Sequence, residues 1–403
     1  MNLETPKKLL PLVQQARAVA DNVFRPISRK YDAHEHEYPK ELDLLASLLD
    51  GLNAGGGGAS ARGLANVGQG DEPTDPNGPT KNGANMRAVL GMVELARGDV
   101  GLALTIPRQG LGNAALAAVG TKEQKEKYGK LWIAMAITEP GAGSDSAAIR
   151  ATARLEGDEW VLDGEKIFVT AGERAGAVVV WASLDRAIGR AAIKAFLVEK
   201  GTPGMTVVRL DKKLGIRASD TATISFENCR IPKENILGSA EIDTKKSFAG
   251  VMKTFDNTRP LVAAMAIGVA RASLDRTREL LREAGVPTDG GRAGGSYIET
   301  ELERLEAEWD AARLLTLKAA WMADNRMPNS LEASMAKAKA ARVANEIALR
   351  CIELVGPVAF GETELVEKWA RDSKILDIFE GTQQIQLLIV ARLLLGKTSA
   401  ELR

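Results

Sequence analysis

The segment RDSKILDIFEGTQQIQ, residues 371–386, carries an acidic side chain suited to proton transfer. Glu380 stands between Phe379 and Gly381, ahead of an apolar helical run. An acid in apolar surroundings is partly desolvated, which raises the pKa of its carboxyl group toward neutrality and makes it a usable general base. The same position also suits an acid that serves the N-terminus of the following helix. Both interpretations stay open from these residues alone.

A second segment, AITEPGAGSDSAA at residues 136–148, is rich in glycine and in side-chain oxygens. Glycines allow backbone N–H groups to approach an anion closely, so such a turn is able to hold a phosphate. Thr138, Ser144 and Asp145 add polar groups along it. A GxG pattern is not specific, and a plain tight turn entering a β region explains it equally well.

Three further patterns also have plain structural explanations. KIFVTAG, residues 166–172, alternates as a half-buried strand does. FDNTRP, residues 255–260, sets Asp256 and Arg259 three apart on one helix face, where a local ion pair would suffice. His34 and His36 lie two apart, so a helix would direct them to different sides, which disfavours a metal site.

Composition narrows the classes of protein. The 403 residues are 45% hydrophobic and 26% charged, which is typical of a globular protein of two or three domains. Lysine and arginine (53) balance aspartate and glutamate (53), which argues against a general nucleic-acid binder. No apolar run approaches the about 20 residues that span a bilayer, and no signal-peptide pattern opens the chain. With two cysteines and no disulfide framework, a cytoplasmic location is predicted.

The hydrophobic period changes twice along the chain. It predicts helices at 9–20, 42–52, 85–96, 111–118 and 122–131, with Thr121 as an N-cap and a Gly- and Pro-rich stretch at 54–83. Short β-rich runs follow at 159–172, 176–184, 194–201, 205–210 and 222–231. Long helices are predicted near 246–284, 297–325, 331–355 and 364–395. The order predicts a mainly α chain of three domains: helical 1–131, β 132–240 and a helical bundle 241–403.

Taken together, these segments resemble the acyl-CoA dehydrogenase family. ELARGDVGLAL (94–104) and GTKEQKEKY (120–128) join the four segments above in the family's order. The resemblance implies an N-terminal helical domain, a middle β-barrel and a C-terminal four-helix bundle. It further implies FAD between the β domain and the bundle, and an acyl-CoA thioester against the flavin. The expected reaction is α,β-dehydrogenation to a trans-2-enoyl-CoA, in fatty acid metabolism.

The resemblance also implies roles for individual residues. Glu380 matches the base that removes the α-proton, while a β-hydride passes to flavin N5. Thr258 occupies the position that holds the base in some branches of the family, and a threonine cannot act as that base. The positions matching the FAD site are Met135, Thr138, Gly143, Ser144, Phe168, Thr170, Thr382 and Gln384, and those near the CoA moiety are Ser144, Asp256 and Arg259.

Two segments depart from the family's pattern. Residues 282–295 (REAGVPTDGGRAGG) lack Arg-x-x-Phe-Gly, and residues 353–357 (ELVGP) replace Gln-x-x-Gly-Gly. In the family these segments reach across a subunit interface to the neighbour's FAD. A glutamate there directs negative charge toward a diphosphate, and a proline removes an N–H donor. The departures suggest a dimer or tetramer, with the hypothesis of an α2β2 assembly in which a sister chain completes the FAD site.

The electron acceptor and the acyl group stay open. An electron-transferring flavoprotein is the expected partner, and an O2-using relative such as an acyl-CoA oxidase is an alternative. A second alternative is an FAD-binding partner subunit with little activity alone. Glu380 in place of an aspartate disfavours a nitroalkane oxidase. The Ala- and Gly-rich loop 54–70 suggests a mouth wide enough for a bulky acyl group.

Overall fold

The computed structural model describes residues 5–46, 82–107, 110–243, 249–289, 295–398 and 401, with only the backbone of 249–257. The predicted helix end at 47–52 and nearly all of the predicted loop 54–83 lie outside the described residues, as do 290–294 of the segment 282–295. Among the described helices, none is both long and apolar enough to cross a membrane.

The N-terminal part is helical, as predicted. Helix α1 (Leu10–Val19) runs through a π turn (Ala20–Phe24) into α2 (Arg25–Ala33), so the predicted end at residue 20 is too early. Pro26 has no N–H to continue an α-helical ladder, and the wider turn lies just before it. Next come α3 (Ala84–Gly98), α4 (Val100–Thr105), α5 (Leu111–Val119) and α6 (Lys122–Tyr128). Thr121 caps α6 in a reciprocal pair with Gln124, which confirms the predicted N-cap.

A seven-stranded sheet occupies the middle of the chain. Its strands are β1 (Ile133–Ala136), β2 (Thr152–Glu156), β3 (Glu159–Thr170), β4 (Ala177–Ser183), β5 (Ile193–Glu199), β6 (Met205–Leu210) and β7 (Thr221–Pro232). They lie in the order β1-β4-β2-β3-β7-β6, with β5 paired to β4. The five predicted β runs are all present. The first two strands were not predicted, since β1 is a short, fully buried apolar run without alternation.

The C-terminal part is a bundle of α7 (Ala249–Glu283), α8 (Tyr297–Asp324), α9 (Ser330–Val355), α10 (Val366–Leu376) and α11 (Gln383–Leu395). The prediction of one helix over 364–395 is wrong, because the chain leaves the helical conformation between α10 and α11. There Glu380 has φ 53° and Gly381 has φ 93°, a left-handed conformation that ends an α-helix. The prediction of a mainly α chain with a central β region is confirmed.

The helical regions share one apolar core, and the sheet has a core on each face. Helix α3 crosses α7 so closely that a Cβ on Gly268 would lie 2.3 Å from the Val93 carbonyl oxygen. A buried ionic group then joins the three regions. Lys368 on α10 pairs with Asp99 (2.5 Å) and Asp372 (2.7 Å), and Asp372 accepts from the backbone N–H of Ile216, beyond β6. This network fixes α10, which leads directly into the turn 377–382.

Candidate active site

The turn between α10 and α11 holds Glu380 in an unusual backbone conformation. A left-handed φ costs about 1–2 kcal/mol in a residue with a Cβ, so surrounding contacts must hold it. Lys337 Nζ donates to the Gly381 carbonyl over 2.7 Å, and Gln386 Nε2 donates to the carbonyls of Glu380 and Gly381, each over 3.2 Å. Gly381 has φ 93°, a conformation that residues with a side chain rarely adopt, and a Cβ there would also lie 2.5 Å from Gln386 Nε2, so this turn favours glycine.

The Glu380 carboxylate reaches from the turn to α7. Thr258 Oγ1 donates to Glu380 Oε2 over 2.5 Å. Burial raises the pKa of Glu380, while the Thr258 hydrogen bond and the nearby cations Lys337 and Arg259 oppose that shift without cancelling it. The carboxyl group therefore has the properties of a general base. The alternative role, serving the N-terminus of α11, falls to Thr382, whose Oγ1 accepts from the Ile385 N–H over 3.4 Å.

Lys337 belongs to this site and was missed by the sequence analysis. It lies on α9 among buried alanines at 333, 336, 340, 341 and 344, a spacing that defines the inner face of the helix. Its side chain is completely buried. Burial lowers the pKa of Lys337 to about 8, and the carboxylates of Asp377 and Glu380 offset only part of that shift. A lysine on the apolar face of a predicted helix was the available signal.

The glycine-rich turn after β1 is fixed by a buried ion pair. Glu139 Oε1 accepts from Lys166 Nζ (2.7 Å) and from the Ala151 N–H (2.9 Å), and its Oε2 accepts from the Arg150 N–H (2.6 Å). Burial lowers the pKa of Lys166 to about 8, against the attraction of Glu139. The Thr138 carbonyl accepts from the Ile167 N–H over 2.9 Å. The segments TEPGAGSD and KIFVTAG therefore lie side by side, although Glu139 and Lys166 are 27 positions apart in the sequence.

Beside this turn lies an exposed aromatic ring. Phe168 has φ 59° at a bulge of β3, and 62% of its surface is exposed. A Cβ on Gly141 or on Gly143 would meet no other atom within 4 Å, so the surface of the turn is open. A plain half-buried strand would show neither the left-handed backbone nor the exposed ring. An aromatic face next to open backbone fits a planar ring system that carries phosphate, such as a flavin dinucleotide.

The other predicted site residues fall around these two groups. Met135 is buried in β1 opposite Val179, Thr170 ends β3 opposite Thr221, and Ser144 and Gln384 are exposed. Arg259 is buried on α7 beside Glu380 and Lys337. The side chain of Asp256 lies outside the description. The structure thus brings together Thr138, Gly143 and Phe168 on the sheet, and Glu380, Thr258 and Arg259 in the bundle.

Comparisons with known proteins identify the family of this chain. The family model "Acyl-CoA dehydrogenase, C-terminal domain" matches residues 248–395, and "Acyl-CoA dehydrogenase, middle domain" matches residues 134–229. The mitochondrial short-chain specific acyl-CoA dehydrogenase of Homo sapiens is 34% identical over 405 residues, covering 97% of this chain and 90% of that protein. The short-chain specific acyl-CoA dehydrogenase of Clostridium acetobutylicum is 36% identical over 280 residues, covering 68% of this chain and 72% of that protein.

A solved structure extends the likeness to the whole fold. Butyryl-CoA dehydrogenase from Megasphaera elsdenii superimposes with a TM-score of 0.82 at 28% identity, covering 98% of this chain and 100% of that one. The chain therefore belongs to the acyl-CoA dehydrogenase family of FAD-dependent oxidoreductases.

Proposed function

We propose that this chain oxidises an acyl-CoA thioester to the trans-2-enoyl-CoA, with Glu380 as the base that takes the α-proton. The observation that carries this proposal is the Glu380 carboxylate itself. It is partly buried, held at 2.5 Å by Thr258, and has a pKa raised by burial. Thr258 supports the ionised base from the position that holds the base in other branches of the family.

The turn also offers a donor for the substrate. Within the described residues, nothing accepts a hydrogen bond from the Glu380 backbone N–H. A thioester oxygen placed there would accept that bond, and the bond would strengthen as negative charge develops on the oxygen during proton removal. The carbonyls of Glu380 and Gly381 are already engaged by Gln386 and Lys337, so the backbone does not need to move.

The sheet group would hold the cofactor. Phe168 would pack on the flavin ring system, and Thr138, Gly143, Ser144 and Thr170 would border it, with Met135 supporting the turn from β1. Thr382 and Gln384 would reach it from the bundle side. FAD, when bound, supplies the acceptor for the β-hydride. An electron-transferring flavoprotein is the proposed onward acceptor, and Asp256, Arg259 and Ser144 are proposed to lie near the CoA moiety.

The first test is anaerobic mixing of the FAD-loaded protein with acyl-CoA thioesters of graded length. We expect butyryl-CoA to bleach the flavin absorption band, since the relatives named above are short-chain specific. Glu380→Gln keeps the shape of the side chain and removes its basicity, so it should bind the thioester without bleaching. Bleaching by Glu380→Gln at the wild-type rate would refute the assignment of the base. If the chain is an oxidase, its reduced flavin should be reoxidised rapidly in air without an added electron-transferring flavoprotein.

A second proposal concerns assembly. Helix α11 is largely apolar, yet Gln386 is its one fully buried residue. Leu387, Leu393, Leu394 and Leu395 are each about half exposed or more. Contiguous exposed leucines mark a protein interface. We propose that a second chain of the same fold covers this face.

The segment 353–357, which replaces Gln-x-x-Gly-Gly, favours an unequal partner. Pro357 has no N–H to offer, and the Glu353 carboxylate pairs with Arg350 within this chain. A sister chain with Gln-x-x-Gly-Gly would complete the FAD site of this one in an α2β2 assembly. The test compares mass and FAD content of this chain alone and co-expressed with such a sister. Restoring the pattern by Glu353→Gln with Pro357→Gly should raise the FAD content of the chain alone. A homotetramer with one tightly held FAD per chain would refute the unequal pair.

A further inference from the structure

Lys337 lies beneath the turn that carries Glu380, and the reaction proposed above gives it no role. The lysine is completely buried, on a helix face lined mostly by alanine. Burying an ammonium group is costly unless it is paired, so an apolar residue would serve the packing of α9 better. The contact that distinguishes Lys337 is its hydrogen bond of 2.7 Å to the Gly381 carbonyl.

Charged groups on two elements face this ammonium. Asp377 and Glu380 of the turn attract it, and Arg259 of α7 repels it. The net surroundings are therefore anionic only while both carboxyl groups are ionised. By reciprocity, the positive charge of Lys337 favours the ionised form of the Glu380 carboxyl group.

The hydrogen bond acts on the backbone of the base. Gly381 O accepts from both Lys337 and Gln386, and Glu380 O accepts from Gln386. Two donors from different helices therefore anchor the two peptide groups whose left-handed φ values set the direction of the Glu380 side chain. Without Lys337, one anchor on the side of α9 is lost.

We propose that Lys337 is a positioning residue for the proposed base: it anchors the Gly381 carbonyl so that the Glu380 carboxylate stays at Thr258, and its positive charge favours the ionised form of that carboxylate. The inference depends on the proposed role of Glu380. Lys337 has no contact with substrate in this account and acts through the turn.

The test uses two variants of the FAD-loaded, full-length protein. Lys337→Met removes donor and charge at similar volume, and Lys337→Gln keeps a donor without the charge. The control is Lys339→Met on the same helix, because Lys339 is half-exposed and pairs with Glu308, away from the turn. Three measurements are made: flavin reduction by butyryl-CoA against pH and substrate concentration, the Glu380 carboxyl titration by infrared difference spectroscopy assigned with Glu380→Gln, and the melting temperature.

We expect Lys337→Met to slow flavin reduction at neutral pH at least about 10-fold and to raise the titration midpoint of Glu380 by about one pH unit. The half-saturating substrate concentration should change less than about 3-fold, since Lys337 makes no contact with the substrate and its loss leaves ground-state binding unchanged. Lys337→Gln should recover part of the rate and keep the raised midpoint. Lys339→Met should match the wild type in all three measurements.

The outcomes separate the two proposals. Flavin reduction by butyryl-CoA in Glu380→Gln would overturn the assignment of the base, independently of the results with the Lys337 variants. An inactive Glu380→Gln together with a wild-type rate and midpoint in Lys337→Met would overturn the positioning role alone. Loss of folded protein in both Lys337 variants, with Lys339→Met folded, would also overturn it. The lysine would then support the whole bundle rather than the turn.

Discussion

Replacing Thr258 by valine directly tests the environment of Glu380, the proposed base. The Thr258 hydroxyl donates to Glu380 Oε2 over 2.5 Å, and a hydrogen bond to a charged group contributes about 1.5–3 kcal/mol. The bond favours the ionised carboxylate, so its loss raises the pKa of Glu380. At 1.36 kcal/mol per unit, the expected rise is about 1–2 units. Valine has nearly the volume of threonine, and residue 258 is completely buried, so no new water contact is expected.

The assay is the pH dependence of kcat/KM for an acyl-CoA thioester, since its acid limb reports the base of the free enzyme. In Thr258→Val this limb should move to higher pH by about 1–2 units. Thr258→Ser keeps the hydroxyl and should leave the limb in place. Thr316→Val controls for the loss of a buried hydroxyl elsewhere, because Thr316 bonds only to the Ala312 carbonyl on α8 in the described structure. An unmoved limb in Thr258→Val, or a move to lower pH, would refute the reasoning.

Three further predictions concern stability and cofactor binding. Burial raises the pKa of the Glu380 carboxyl group, so the contribution of this group to folding stability is favourable at low pH and is lost as the pH rises through the folded pKa. Glu380→Gln should therefore raise the melting temperature at pH 8 but not at pH 4. An equal rise at both pH values would contradict this. Phe168→Gly relieves a left-handed φ and should stabilise the flavin-free protein by about 1 kcal/mol, measured by denaturant titration. The same change should weaken FAD binding about 10-fold, and unchanged affinity would remove Phe168 from the site. Lys166→Met leaves Glu139 buried without its counter-charge and should lower the free energy of unfolding, measured in urea, by about 3–5 kcal/mol. The double variant with Glu139→Gln should recover much of this loss. A loss under about 1 kcal/mol in the single variant would show that the pair does not hold the turn.

The order of helices and strands was predictable because each element carries its own period. The helices at 85–96 and 111–118 and the five β runs needed no long-range information. Strand β1 was missed because a four-residue, fully buried run has no alternation to detect. The helix over 364–395 was predicted as continuous because its apolar period persists across the break. The break is signalled only by Gly381 and by Thr382 as an N-cap.

The candidate site was predictable in part. Glu380, Phe168 and the glycine-rich turn stand out as segments, and family resemblance supplied the roles proposed for them. Their supporting contacts join distant residues: Thr258 and Glu380 are 122 positions apart, and Lys337 and Gly381 are 44 apart. Sequence periodicity does not encode such pairs, since each partner looks ordinary within its own segment. The left-handed φ of Phe168 is likewise invisible, because a β-branched and aromatic run predicts a regular strand.

Completely buried lysines mark where this fold anchors its site. In the described structure there are three, Lys166, Lys337 and Lys368. Lys166 donates to the Ile137 carbonyl and to Glu139 beside the glycine-rich turn, and Lys337 donates to the Gly381 carbonyl in the turn that carries Glu380. Lys368 holds α10, which leads into that turn.

The surroundings of these lysines differ in charge, and this difference separates their functions. Burial lowers the pKa of Lys368 too, but two carboxylates outweigh it and the net shift is upward, as expected of a structural ion cluster. Lys166 and Lys337 have too little negative charge nearby to offset burial, and their pKa values fall to about 8. A fold selected for stability alone would favour apolar residues at both positions. Lys166 and Lys337 lie beneath the two turns that would contact flavin and thioester. Their presence indicates that these positions favour a fixed backbone geometry over maximal folding stability.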